Sequence, residues 1–159
     1  MSDLFEVAKN YFRDRNWPVA QHESMPILRF EYEGENGSWF CYARVRDEAN
    51  QFIFLSVLED KVPEDRRLAV AEFQTRANFG LDVGNFDLDF NDGEVRFKTS
   101  VDVTHAELTD GLIDPLVQAS LVVMDDYLPG LRDVIAGKAT PAEAVAKIEE
   151  ENEGYDLIL

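Results

Sequence analysis

Residues 86–103 read FDLDFNDGEVRFKTSVDV, and this stretch decides the fold. Phe86, Leu88 and Phe90 alternate with Asp87, Asp89 and Asn91. After Asp92-Gly93, Val95, Phe97, Thr99, Val101 and Val103 alternate with Glu94, Arg96, Lys98, Ser100 and Asp102. Period-two alternation broken by Asp-Gly is the mark of a β-hairpin with one apolar and one charged face. With Asp92-Gly93 as a two-residue loop, Asn91 faces Glu94, Asp89 lies opposite Arg96 and Asp87 opposite Lys98. Phe90 then meets Val95, and Leu88 meets Phe97.

The same reasoning extends upstream. Residues 3–15 place Leu4, Phe5, Ala8, Tyr11 and Phe12 on one broad helical face, with Ser2 or Asp3 as cap and Asn16-Trp17-Pro18 as the stop. A short extended piece at 19–24 precedes a strand at about 27–33, with Leu28, Phe30 and Tyr32 facing one way. Asn36-Gly37 as a two-residue loop would set Tyr32 against Cys41; a four-residue loop over 34–37 keeps the same facing. In either case Trp39, Cys41, Ala43 and Val45 share the first face, while Phe40 and Tyr42 point to the other. The run QFIFLSVL at 51–58 is apolar on both sides, as expected of a central strand. Pairing Arg46 with Gln51 sets Phe52, Phe54 and Leu58 beside Val45, Ala43 and Trp39. It also sets Ile53, Leu55 and Val57 beside Arg44, Tyr42 and Phe40.

Downstream of that strand, Pro63 with Glu64 and Asp65 opens a second helix through Leu68, Ala69, Phe73 and Ala77, which Asn78 and Gly80 end. A phase slip at Gly84-Asn85 suits a bulge before the hairpin. The longest apolar helix runs from about Thr109, or from Asp114 capping Pro115, to Leu128, and carries more apolar surface than one contact needs. Pro129-Gly130 is expected to bend the chain there. Thr140-Pro141-Ala142-Glu143 is a complete helix start. The expected division is one domain over 1–148 and an acidic tail over 149–159, in which Leu157, Ile158 and Leu159 can dock.

Composition narrows the function. The chain has 159 residues, 45% of them hydrophobic, enough for one full core. Lys and Arg number 15 against 32 Asp and Glu, a net charge of -17, which disfavours nucleic acid and anionic membranes as partners. One cysteine, Cys41, rules out an intramolecular disulfide. With no secretory pattern at the N-terminus and no apolar run of membrane-spanning length, a cytoplasmic protein is expected.

Residues 76–103, the segment MDDYLPGLRDVIAG at 124–137 and the TPAEAV start resemble the YbjN-type family of bacterial sensory transduction regulators. The resemblance covers roughly residues 3–148 and rests on turn, cap and packing residues, among them Asp87, Asp89, Asp92-Gly93 and the Leu128-Pro129-Gly130-Leu131 segment. It implies an α+β fold of order α-β-β-β-α-β-β-α, an antiparallel sheet packed by helices. It further implies similarity to the small, acidic, dimeric chaperones of type III secretion, which hold partner proteins without catalysis. The family carries no catalytic residue to transfer.

The residues themselves agree that no familiar chemistry is present. Asp87-Leu88-Asp89-Phe90-Asn91-Asp92-Gly93 superficially resembles a calcium loop, but Asp92 and Lys98 stand where Gly and Glu are needed. His22 and His105 lie in no metal spacing, and Cys41 sits on an apolar strand face. The expectation is therefore a non-enzymatic, protein-binding, chaperone-like or regulatory homodimer with no cofactor and no metal. Its binding surface is expected on Phe40, Tyr42, Ile53, Leu55 and Val57, or on an adjacent strand edge, and the net charge favours basic clients. Phe40 and Tyr42 are the favoured pair, since the second helix or a dimer mate can instead bury the other three. The alternative is an unrecognised enzyme or small-ligand sensor using acidic residues, such as Asp125 and Asp126 with a distant Glu.

Overall fold

A computed structural model of the protein describes residues 3–152. Ser2, and all of the expected tail beyond Asn152, lie outside the described residues. The elements run α1 (Asp3–Asp14), β1 (Ala20–Gln21), β2 (Ile27–Glu33), β3 (Ser38–Arg46), β4 (Gln51–Val57), α2 (Arg67–Phe79), β5 (Asn85–Leu88), β6 (Val95–Asp102), α3 (Asp110–Ile135) and α4 (Pro141–Glu151). The strands form one antiparallel sheet in the order β1-β2-β3-β4-β6-β5. This is the expected α+β architecture, with the apolar strand β4 central.

All three tight connections are four-residue loops. Glu33 pairs with Ser38 and Arg46 with Gln51, so the longer of the two β2–β3 alternatives is the one formed. In the β5–β6 hairpin the two-residue loop is replaced by Phe90–Gly93. Asp89 N–H donates to the Glu94 carbonyl at 2.9 Å, and the Asp89 and Asp92 carboxylates accept from the N–H groups of Asn91 and Glu94. The register therefore shifts by two: Leu88 pairs with Val95, Asp87 with Arg96 and Phe86 with Phe97, and Phe90 turns out to solvent. A shift of two leaves the paired side chains, Phe86, Asp87 and Leu88 with Val95, Arg96 and Phe97, on their predicted faces. Gly93 is fixed by two constraints. Its φ is +84°, and its Cα lies so close to the Val62 carbonyl that a Cβ would strike it.

The helices meet the sheet through inward-pointing positions. Phe12 of α1 stacks on Phe54 and tilts against Phe30, and Phe73 of α2 meets Phe86 edge-on. Ser120 of α3 bonds Ser56 at 2.8 Å, and the Leu116 carbonyl accepts from Thr99. Trp39, Cys41, Ala43, Val45, Phe52 and Phe54 are all buried in this layer. Their burial supplies the main driving force, at about 25 cal/mol per Å².

Two helix expectations are corrected. After Pro63 the chain first makes a short 3-10 turn, Glu64–Arg66, and α2 begins at Arg67. The buried residues of α2 are Val70, Phe73, Gln74 and Ala77, and Leu68 points to solvent. Pro129-Gly130 does not end α3, which runs unbroken from its Thr109 cap to Ile135. Buried Gly130 faces α4, where a Cβ would strike the Ile148 δ-methyl. α4 starts as predicted, with Thr140 Oγ accepting from Glu143 N–H and donating to its carboxylate.

Candidate functional site

Because side chains alternate along each strand, the register of β2, β3, β4 and β6 specifies the sheet face turned away from the helices. It consists of three rows. Glu31, Phe40, Val57 and Arg96 make the first, Arg29, Tyr42, Leu55 and Lys98 the second, and Ile27, Arg44, Ile53 and Ser100 the third. The five predicted residues thus form one contiguous apolar patch at the centre of this face. Phe40, Tyr42, Leu55 and Val57 are half-buried, and Ile53, flanked by Arg44 and Ser100, is only 5% exposed. The second helix does not cover the patch, contrary to one of the expectations, because α2 packs on the opposite face against β5.

The patch has a charged frame. The Arg29 guanidinium lies over the Phe40 ring at 4.2 Å, a cation–π contact. Asp87 of β5 pairs with Arg96 at 3.0 Å and Lys98 at 3.5 Å. The three rows carry Arg29, Arg44, Arg96 and Lys98 against Glu31 alone, with Asp87 beside them. The surroundings of the patch are thus cation-rich in a chain whose net charge is -17.

The two sheet edges differ. On β5, Asn78 of α2 acts as a substitute strand: its side chain accepts from Phe86 N–H at 2.7 Å and donates to the Phe86 carbonyl at 3.2 Å. Gln74 adds a bond to the Asp87 carbonyl. That edge is closed. On the other side β1 spans only two residues, pairing with Leu28 and Arg29. Gly34 N–H donates to the Gly37 carbonyl, so the even positions of β2 bond to β3. The backbone groups of Glu31 and Glu33 therefore point outward beyond the end of β1. Edge and patch adjoin, since Glu31 neighbours Phe40.

The remaining candidates for chemistry have structural roles. Asp125 accepts from the N–H groups of Glu35 and Asn36 at 3.0 and 2.8 Å, holding the β2–β3 loop to α3. Cys41 is fully buried beside Ser56, and burial pushes its thiol up to about 12, far from a reactive thiolate. His22 Nδ1 accepts from Ser24 and Met25 N–H. Among the described residues no group of three or more His, Cys, Asp or Glu is placed to hold a metal. A depression of about 430 Å³ lies at the end of the hairpin, lined by Asp87, Asp89, Phe90, Glu94, Arg96 and Lys98, in which Asp87 already pairs with both cations, Arg96 and Lys98. Sequence reasoning missed the exposed apolar side chains on the helical side. Phe79, 95% exposed, and Leu68, 79% exposed, both belong to α2. Their spacing of eleven residues, three helical turns, was the available signal.

Comparison with known proteins agrees with this picture. Residues 6–133 match the family described as "YbjN: Putative bacterial sensory transduction regulator". The chain belongs to the YbjN family. Its fold is similar to the crystal structure of YbjN from E. coli, described as a putative transcription regulator, with a TM-score of 0.58 and 14% identity over 74% of this chain and 83% of that one. No curated protein matches the sequence. No helix among the described residues is long and apolar enough to cross a membrane.

Proposed function

We propose that this protein is a non-catalytic, chaperone-like regulatory domain that works as a homodimer and holds an extended segment of a client protein on its outer sheet face. One observation carries the reading: an apolar patch of Phe40, Tyr42, Ile53, Leu55 and Val57 lies on the face away from the helices and borders an open strand edge at Glu31 and Glu33. An extended segment laid along β2 gains main-chain hydrogen bonds from that edge and side-chain contacts from Phe40 and Tyr42. The cationic frame revises the expected client. Arg29 and Arg44 favour an apolar segment bearing acidic residues over a basic one, because local charges outweigh distant ones beyond a screening length of about 8 Å. The homodimer is supported by Leu68, Val83 and Val122, apolar side chains exposed on the helical side.

Tyr42→Glu tests the client face. The variant is expected to lose the partners captured by wild type while melting temperature and molecular mass stay unchanged. Full capture by a folded variant rejects this face. Light scattering after size exclusion is expected to give twice 18.1 kDa, and a monomeric mass across micromolar concentrations rejects the dimer.

A further inference from the structure

We propose that the groove between α2 and α4 is the docking site of the chain's own residues 155–159. The groove encloses about 460 Å³ and is lined by Thr75, Arg76 and Phe79 of α2 and by Ala142, Val145 and Glu149 of α4. Its α4 wall is one helical stripe at spacings of three and four. Its α2 wall ends in Phe79, the most exposed large apolar side chain among the described residues. Arg76, the cation in the groove, is already paired with Glu72 at 2.8 Å. The lining is therefore mainly apolar and small, shaped for side chains rather than for a charged ligand.

The position of the chain selects the occupant. The described residues stop at Asn152, less than one turn past Glu149, and Glu149 lies at the Phe79 end of the groove, where a Cβ on Gly80 would be 3.5 Å from its carboxylate. The next seven residues read EGYDLIL. Gly154 provides the conformational freedom for a reversal, and Tyr155, Leu157, Ile158 and Leu159 are the apolar side chains that follow. From Glu149 back to Ala142 the stripe is about 10 Å long at 1.5 Å per residue. Five extended residues span about 16 Å, enough to pass Phe79 and follow the stripe. A tethered segment has an effective concentration in the millimolar range, on the order of that for short flexible linkers. The family match ends at residue 133, so α4 and the segment both lie beyond it.

A cysteine pair tests this in the full chain. Phe79→Cys with Leu157→Cys adds two thiols to a chain whose own cysteine, Cys41, is buried. Mild oxidation is expected to give a disulfide within one chain in most molecules. Leu68→Cys with Leu157→Cys, on the same side of α2 but about 16 Å along its axis, is expected to give at least tenfold less. A disulfide chiefly between chains assigns the groove to a second copy and overturns the proposal, as does equal or absent cross-linking in the two pairs. A second measurement is independent of the cysteines. A chain lacking residues 153–159, with an unchanged circular dichroism spectrum, is expected to raise Nile red fluorescence severalfold. Phe79→Ser in that shortened chain is expected to reverse the rise, and no rise on shortening overturns the proposal.

Discussion

Asn36, in the β2–β3 loop, donates from Nδ2 to the backbone carbonyl of Asp125 in α3 at 2.9 Å. That carbonyl lacks its usual helical donor because the residue four positions on is Pro129, which has no N–H. The loop thus supplies the bond that the proline removes, and the Asp125 carboxylate returns two bonds to the loop. Arg132, two turns on from Asp125, donates to the Asn36 carbonyl at 2.6 Å. A helix with an internal proline continues here because a distant turn repairs it.

Removing either side of this exchange is expected to destabilise the fold. Asp125→Ala, which loses two charge-assisted bonds, should cost about 1–3 kcal/mol, and Asn36→Ala, which loses one neutral bond, about 0.5–1.5 kcal/mol. Urea denaturation reads the loss as a lower midpoint with an unchanged slope. The double variant should fall short of the sum, since both residues act in one network. Additive losses contradict the coupling.

Gly130 sets how closely α3 and α4 approach. A Cβ there would strike Ile148 and come within 3.3 Å of Phe73. Gly130→Ala is expected to cost about 1–3 kcal/mol by overpacking. Adding Ile148→Val, which removes the struck methyl, is expected to recover part of the loss in the same melting experiment.

Cys41 gives the stability a pH dependence with a defined sign. Burial raises the thiol from 9.0 to about 12 in the folded chain. The unfolded chain releases this proton first, so the group's contribution is intact below pH 9 and drains away as pH rises toward 12. Tyr11, also raised, chiefly by burial and then by its bond to Asp114, acts in the same direction above pH 10. Cys41→Ala should flatten the stability profile from pH 9 upward. At pH 8, native protein should react with a thiol reagent only at the rate of unfolding.

Charge reversal on the outer sheet face separates an acidic from a basic client. Arg29→Glu with Arg44→Glu, both exposed positions, is expected to leave melting within about 0.5 kcal/mol of wild type. Capture of an acidic-apolar client should drop at least tenfold, and capture of a basic one should rise. Unchanged capture of both places the client elsewhere.

Strand faces and the start of α4 were determined by the sequence alone, because both depend on period and on chemistry within a few residues. The alternation in Phe86–Val103 and the Thr140-Pro141 start needed no partner to be read. So did the pairing of Ile53, Leu55 and Val57 with Arg44, Tyr42 and Phe40, because register and facing follow from one loop length. The hairpin register at Asp87 was decided by tertiary structure. A four-residue loop held by two aspartate turns, with Gly93 pressed against Val62, prevailed over the Asp-Gly turn preference. The course of α3 through Pro129 was likewise decided by Asn36, 93 residues earlier in the chain, which no local rule can anticipate. Which face the helices leave bare, and the cations that frame it, emerged only once the strands were set side by side. Charge counted along a chain says nothing of how Arg29, Arg44, Arg96 and Lys98 converge across three strands.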